Sequence, residues 1–137
     1  MPELSKPIPA ITPDMAEFFE GARRGQLMVH KCNGCGELNF PAYTICSKCL
    51  STGGKWVPVS GRGEVYSFNI MHQVYHPAFA GEVPYAVVVV KLEEGAKFVS
   101  NLIGIKPSEI RIGMPVDVVF EKMNDEVSLP KFQPRKP

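Results

Sequence analysis

The period of the hydrophobic positions changes along this chain. Near the N-terminus Met15, Phe18, Phe19 and Ala22 recur at helical spacing and predict a helix with one apolar face. Thr12 is the expected N-cap and Pro13 the first helical residue. Asp14, Glu17 and Glu20 suit the N-terminal half, Arg23 and Arg24 the last turn, and Gly25 the stop. The apolar face has two readings: it packs on the rest of the chain, or it docks on a partner. Residues 1–11 read as an extended, proline-rich arm, and Gln26 to Lys31 as a strand leading into Cys32.

After a flexible turn at Ser51-Thr52-Gly53-Gly54 the pattern becomes that of strands. Trp56 to Val59 and Gly63 to Met71 are rich in β-branched and aromatic residues, broken by Ser60-Gly61-Arg62-Gly63. Tyr85 to Leu92 is an apolar run of strand length, and Glu93-Glu94-Gly95-Ala96 turns it into Lys97 to Ile103. A short helical turn is expected in Pro107 to Ile112, a strand at Pro115 to Lys122, a turn at Asn124-Asp125 and a last strand at Ser128 to Phe132. Five strands with glycine-marked bends in about 80 residues predict a small closed barrel.

With 137 residues, the chain has room for one domain or a small core with an appended module. Its 45% hydrophobic and 21% charged residues describe a globular protein. No apolar run nears the roughly 20 residues of a membrane span; the longest is Ala86 to Val90. Met1 to Ala10 holds three prolines and no hydrophobic stretch of the kind a secretory signal needs. The expectation is a soluble, cytoplasmic protein without a membrane partner.

The net charge of +1 hides an uneven distribution. Residues 32–63 hold three basic side chains and one acidic, whereas residues 64–130 hold five basic and nine acidic. Polyanion binding needs clustered Lys and Arg, so the largest segment has the wrong sign for a nucleic-acid surface. Nucleic acid is therefore a disfavoured partner.

All four cysteines lie in one segment, as Cys32-x2-Cys35 and, after ten residues, Cys46-x2-Cys49. This is the spacing of a zinc ribbon. Each pair can turn two thiolates toward one ion, and Gly34 and Gly36 supply unusual backbone angles for the first turn. Phe40-Pro41 lies within the arch that returns the second pair. Four thiolates leave no open position, so the site is structural. Disulfides do not suit a cytoplasmic chain, and redox chemistry needs one such pair opening a helix, not two matched pairs. A tetrathiolate also accepts iron, which would make an electron-transfer ribbon.

Catalytic motifs are not evident. The sequence lacks a G-x-S-x-G elbow, a phosphate loop and a dinucleotide fingerprint. His72 and His76 are four apart but lie where a strand enters a loop containing Pro77, so they do not converge as they would on a helix. Glu93 and Glu94 sit in a turn, where carboxylates are normally solvated.

Taken in order, the helix with Phe18-Phe19, Cys32-x-x-Cys35-Gly36, Phe40-Pro41, Cys46-x-x-Cys49 and Gly63-Glu64-Val65-Tyr66-Ser67-Phe68 form a recognisable series. Pro84-Tyr85, Leu92-Glu93-Glu94-Gly95, Gly113-Met114-Pro115-Val116 and Leu129-Pro130-Lys131-Phe132-Gln133-Pro134 continue it. The chain resembles the DUF35 family over about residues 13–134. The resemblance implies a mainly β fold: an N-terminal helix, a rubredoxin-like zinc ribbon and a five-stranded OB-fold barrel. The expected divisions are 1–31 for arm, helix and lead-in strand, 32–54 for the ribbon, and 55–137 for the barrel with its tail.

The resemblance also implies a subunit that is not catalytic on its own. Such a subunit associates with a thiolase-fold enzyme and helps to bind acyl-CoA for thiolytic or retro-aldol chemistry. Cys32, Cys35, Cys46 and Cys49 occupy the family's metal positions, for one structural zinc ion. The CoA thioester would be the shared substrate of the complex. Lys48, Lys55 and Arg62, near the ribbon and the barrel entrance, are the candidates for CoA phosphates. The alternative is an OB-fold that binds single-stranded nucleic acid by stacking bases on Tyr66 and Phe68, which alternation places on one strand face.

Overall fold

The computed structural model describes residues 6–40 and 45–135. Part of the proline-rich arm, Pro41 of the arch and the end of the basic tail lie outside these residues.

The helix α1 spans Ala16–Arg23 and starts later than its sequence predicts. Thr12 does not cap it through its side chain; instead the Met15 N–H donates to Thr12 O at 3.0 Å, and a turn precedes the helix. The Asp14 carbonyl accepts the Trp56 indole N–H at 3.0 Å, which diverts that carbonyl from the helical ladder. The C-terminal stop follows its prediction. Gly25 sits at φ +80, its N–H donates to Ala22 O, and the Gln26 N–H donates to Gly21 O at 2.7 Å. These are the two hydrogen bonds of a Schellman motif. Gly25→Ala is expected to destabilise the protein by about 1 kcal/mol, because a Cβ is disfavoured in the left-handed region; urea unfolding measures it.

Three strands follow: β1 (Met28–Cys32), β2 (Leu38–Asn39) and β3 (Gly54–Pro58). They form one antiparallel sheet in the order β2-β1-β3. The Trp56 segment thus pairs with β1 along its whole length, and Gly54 is strand instead of flexible turn. A Cβ on Gly54 would run into the His30 ring, so only glycine allows this close pairing.

The barrel consists of β4 (Arg62–Met71), β5 (Tyr85–Leu92), β6 (Lys97–Leu102), β7 (Pro115–Lys122) and β8 (Ser128–Pro134). It closes in the order β4-β5-β6-β8-β7, with β7 returning to β4. All pairings are antiparallel except β6 with β8, which meet in parallel at Leu102 and Phe132. This is the expected OB-fold. The Glu93–Ala96 turn, the helical turn at Pro107–Glu109 and the Asn124 turn stand where they were expected.

Alternation fails at one place. A β-bulge lies between Val65 and Ser67, so Tyr66 and Phe68 do not share a face. Tyr66 is exposed beneath the Lys97 ammonium, 4.0 Å from its ring centre, and Phe68 turns toward the core.

Val65, Val88, Val90, Leu92, Val116 and Phe132 fill the barrel, and Leu27 and Val29 fill the space under the ribbon sheet. One continuous core joins them through Phe18, whose ring centre is 4.8 Å from Phe40, 5.8 Å from Trp56 and 6.2 Å from Phe98. The apolar face of α1 is therefore consumed within the chain. It lies by the side of the barrel where β6 and β8 barely pair.

Candidate metal centre and barrel groove

The four sulfur atoms converge at the end of the ribbon, all within 4.8 Å of one another. Cys32 and Cys35 flank the turn after β1, and Cys46 and Cys49 flank the turn before β3. Cys32 Sγ lies 3.6 Å from Cys49 Sγ, and Cys35 Sγ lies 3.7 Å from Cys46 Sγ. A Zn–S bond of about 2.3 Å gives a tetrahedron with edges of about 3.8 Å, so these two sulfur pairs already stand close to the spacing the ion requires. The Gly34 N–H points at Cys32 Sγ from 3.3 Å and the Lys48 N–H at Cys46 Sγ from 3.4 Å. Such donors stabilise thiolates.

The thiols differ in acidity for local reasons. The Ser51 hydroxyl and N–H draw Cys49 down to about 6. The N–H groups of Cys49 and Lys48 lower Cys46. At Cys35 the Glu37 N–H acts in the same direction, but desolvation and three neighbouring thiols outweigh it and push the group up to about 11. The second pair therefore holds negative charge most readily, and a divalent ion would draw the remaining protons off the set. Four convergent cysteines in a zinc ribbon fit one structural zinc ion.

The candidate phosphate-binding cations are not gathered in the same way. Lys48 pairs with Glu37 at 3.2 Å, Arg62 opens β4 and pairs with Glu93 at 3.2 Å, and Lys55 lies on β3 across from Lys31. The turn carboxylates also have structural partners. Glu94 accepts from the Ser60 N–H at 2.7 Å and from its hydroxyl at 3.2 Å, tying the β5–β6 turn to the link between ribbon and barrel. His76 accepts the Ala78 N–H on Nδ1 at 3.1 Å and caps the turn at Pro77–Phe79. His72 is exposed.

A groove along β6 has no counterpart in the sequence-level reading. One lobe, of about 340 Å³, is lined by Phe79, Tyr85, Val87, Ile103 and Glu121. A second, of about 300 Å³, is lined by Met15, Phe18, Phe40, Leu129 and Pro130. The lobes share Val99, Ser100, Asn101 and Lys131. Lys131 is only 18% exposed; its ammonium donates to Asn101 Oδ1 at 3.0 Å and lies 3.6 Å from Glu121. At the outer end Lys6 reaches from the arm to Glu82 at 2.9 Å and Glu121 at 3.8 Å. Glu82 holds the Lys6 ammonium above its ordinary range. The Leu129–Phe132 segment was visible in the sequence, but its position beside β6 depends on a parallel contact between distant strands.

Among the described residues no helix is long and apolar enough to cross a membrane. Residues 19–53 match the model of the ChsH2 rubredoxin-like zinc ribbon domain, and residues 56–121 that of the ChsH2 C-terminal OB-fold domain. A probable enoyl-CoA hydratase alpha subunit of Thermomonospora curvata is 40% identical over 99% of this chain. The matched region is 42% of that relative, so the chain spans less than half of its length. The benzoylsuccinyl-CoA thiolase subunit BbsA of Thauera aromatica is 30% identical, over 90% of this chain and 83% of BbsA. Among solved structures, a chain of the Ltp2-ChsH2(DUF35) aldolase superposes with a TM-score of 0.79 at 41% identity, covering 93% of this chain and 98% of that one. With zinc ribbon and barrel both matched in their proper order, this chain belongs to the DUF35 family.

Proposed function

We propose that this protein is a non-catalytic subunit of a thiolase-like complex, and that it helps to bind and position an acyl-CoA. The observation that carries the reading is similarity along nearly the whole chain to BbsA, a named subunit of an acyl-CoA thiolase, and to a DUF35 chain from an aldolase. In this reading the zinc makes the ribbon a rigid platform, and the thiolase-fold partner supplies the nucleophile and the acid–base groups. Lys48, Lys55 and Arg62 remain the proposed contacts for CoA phosphates, with Lys48 and Arg62 exchanging Glu37 and Glu93 for the ligand. Cation–phosphate pairs of this kind give charge-assisted hydrogen bonds.

Purification of the tagged chain from its host at moderate salt tests the proposal. The expected result is a thiolase-fold subunit in stoichiometric amount, one zinc ion per chain and little absorbance from nucleic acid. Nucleic acid without such a subunit would overturn the reading in favour of single-strand binding. The inward rotation of Phe68 and the acids Glu82 and Glu121 at the groove speak against that outcome.

A further inference from the structure

The zinc end of the ribbon carries two features that nothing else in the described chain compensates. The first is Leu50. The two cysteine turns are built alike: the Gly36 N–H donates to Cys32 O at 3.0 Å, and the Leu50 N–H donates to Cys46 O at 3.0 Å. Each residue stands four positions after the first cysteine of its pair and has left-handed backbone, with φ +75 at Gly36 and +66 at Leu50. Glycine takes this conformation freely, whereas a side chain is disfavoured there and a bulky one especially so. Leu50 is the only non-glycine residue with positive φ among the described residues. Its side chain is 75% exposed, so internal packing does not offset the strain, and Ile45 nearby is 55% exposed. A glycine would close the same turn without an apolar side chain in water.

The second feature is charge. Lys31 and Lys55 are direct partners across β1 and β3, and both are exposed. Like charges placed opposite each other on a sheet repel. The acid of the ribbon segment, Glu37, is engaged by Lys48. Lys31 runs over the first cysteine turn, where a Cβ on Gly36 would lie 3.7 Å from its Cε. Lys31, at the end of β1, thus borders the first cysteine turn, and Leu50 closes the second, which adjoins the first where a Cβ on Gly34 would run into Ser51. An exposed apolar residue beside a cation that its strand partner repels has the arrangement of an interface core and its polar rim.

We propose that Leu50 anchors this ribbon in an apolar socket on the thiolase-fold subunit, and that the socket's rim carries a carboxylate facing Lys31, which leaves Lys55 to the CoA phosphates. The inference rests on the function proposed above and names the surface that makes the contact. Burying Leu50 would offset its backbone strain, and a partner acid beside Lys31 would offset the repulsion from Lys55.

Two substitutions separate binding from folding. Leu50→Gly relieves the left-handed strain, and Lys31→Glu converts the repulsive pair into an attractive one. Both free chains are expected to keep zinc and to melt no lower than wild type. Titration calorimetry with the purified thiolase-fold subunit is expected to show about 30-fold weaker binding for Leu50→Gly, the scale of one buried leucine. For Lys31→Glu the loss is expected to be about tenfold at low salt and smaller at high salt, as screening predicts. Wild-type affinity in a zinc-loaded Leu50→Gly chain would overturn the assignment while leaving the proposed function intact. A folded, zinc-loaded wild-type chain that holds no thiolase-fold subunit would overturn both.

Discussion

Cys46→Ala is expected to release the zinc, unfold the ribbon and abolish assembly with any partner that the ribbon contacts. Structural zinc contributes about 10–16 kcal/mol of binding energy in small peptide sites, comparable to the whole stability of an ordinary domain. The metal end of the ribbon has little else to order it: β2 has two residues, and the second cysteine turn is held by few hydrogen bonds, such as Cys46 N–H to Ser51 O at 2.9 Å. Trp56, the single tryptophan, reports the change directly. Its indole N–H is held by Asp14 O, and its ring lies 5.4 Å from that of His30 and 5.8 Å from that of Phe18. The variant should bind no zinc, shift its tryptophan emission to the red and melt at lower temperature, and a strong chelator should do the same to wild type. A Cys46→Ala protein with wild-type emission and full assembly would refute the structural role of the ion. The wild-type protein should be colourless; a red, iron-containing preparation would instead support the electron-carrier reading of the tetrathiolate.

Phe98→Ala should have the next largest effect, about 3–5 kcal/mol of lost stability, the usual range for a buried phenylalanine. Phe98 is 2% exposed at the junction of three structural parts. Its ring lies 4.2 Å from Phe40 of the ribbon, 6.2 Å from Phe18 of the helix and 6.1 Å from Phe132 of the barrel. Removing it opens a cavity where β6 and β8 barely pair, so neighbouring strands cannot close the gap by zipping together. Val99, the next residue, points outward and is 60% exposed, and Val99→Ala should change stability by no more than about 0.5 kcal/mol. Urea unfolding of the two variants measures the contrast. Equal effects would mean that ribbon and barrel do not share a core.

Much of this fold is legible in the residues because local causes produce it. The Cys-x2-Cys spacing needs only a tight turn to bring paired sulfurs together, and the second pair returns after ten residues. Gly25 ends α1 through its own backbone freedom. The β5–β6 hairpin and β7 follow from runs of β-branched residues between turn formers, and their observed limits lie close to those the pattern predicts.

Other features depend on partners remote in sequence. By its sequence the strand containing Trp56 falls in the barrel division that begins at residue 55, whereas in the fold it joins the ribbon sheet, a choice made by its register with β1 and the bare Cα of Gly54 beside His30. The late start of α1 depends on an indole 42 residues away that captures the Asp14 carbonyl. The bulge at Tyr66 breaks alternation that the sequence alone presents as unbroken, and it sends the two aromatic rings to opposite environments.

The candidate site divides in the same way. The four-cysteine set that fits a zinc ion is legible in the sequence itself, since thiolate chemistry and spacing single it out without knowledge of the fold. The groove around Lys131 was decided by the tertiary structure, which sets β8 parallel to β6 and leaves the space between them open. Leu50 needed both: its identity is in the sequence, but its left-handed backbone and exposure arise only when the second cysteine turn closes. Short-range geometry can be read from neighbouring residues, whereas a surface or a groove exists only after distant segments have packed.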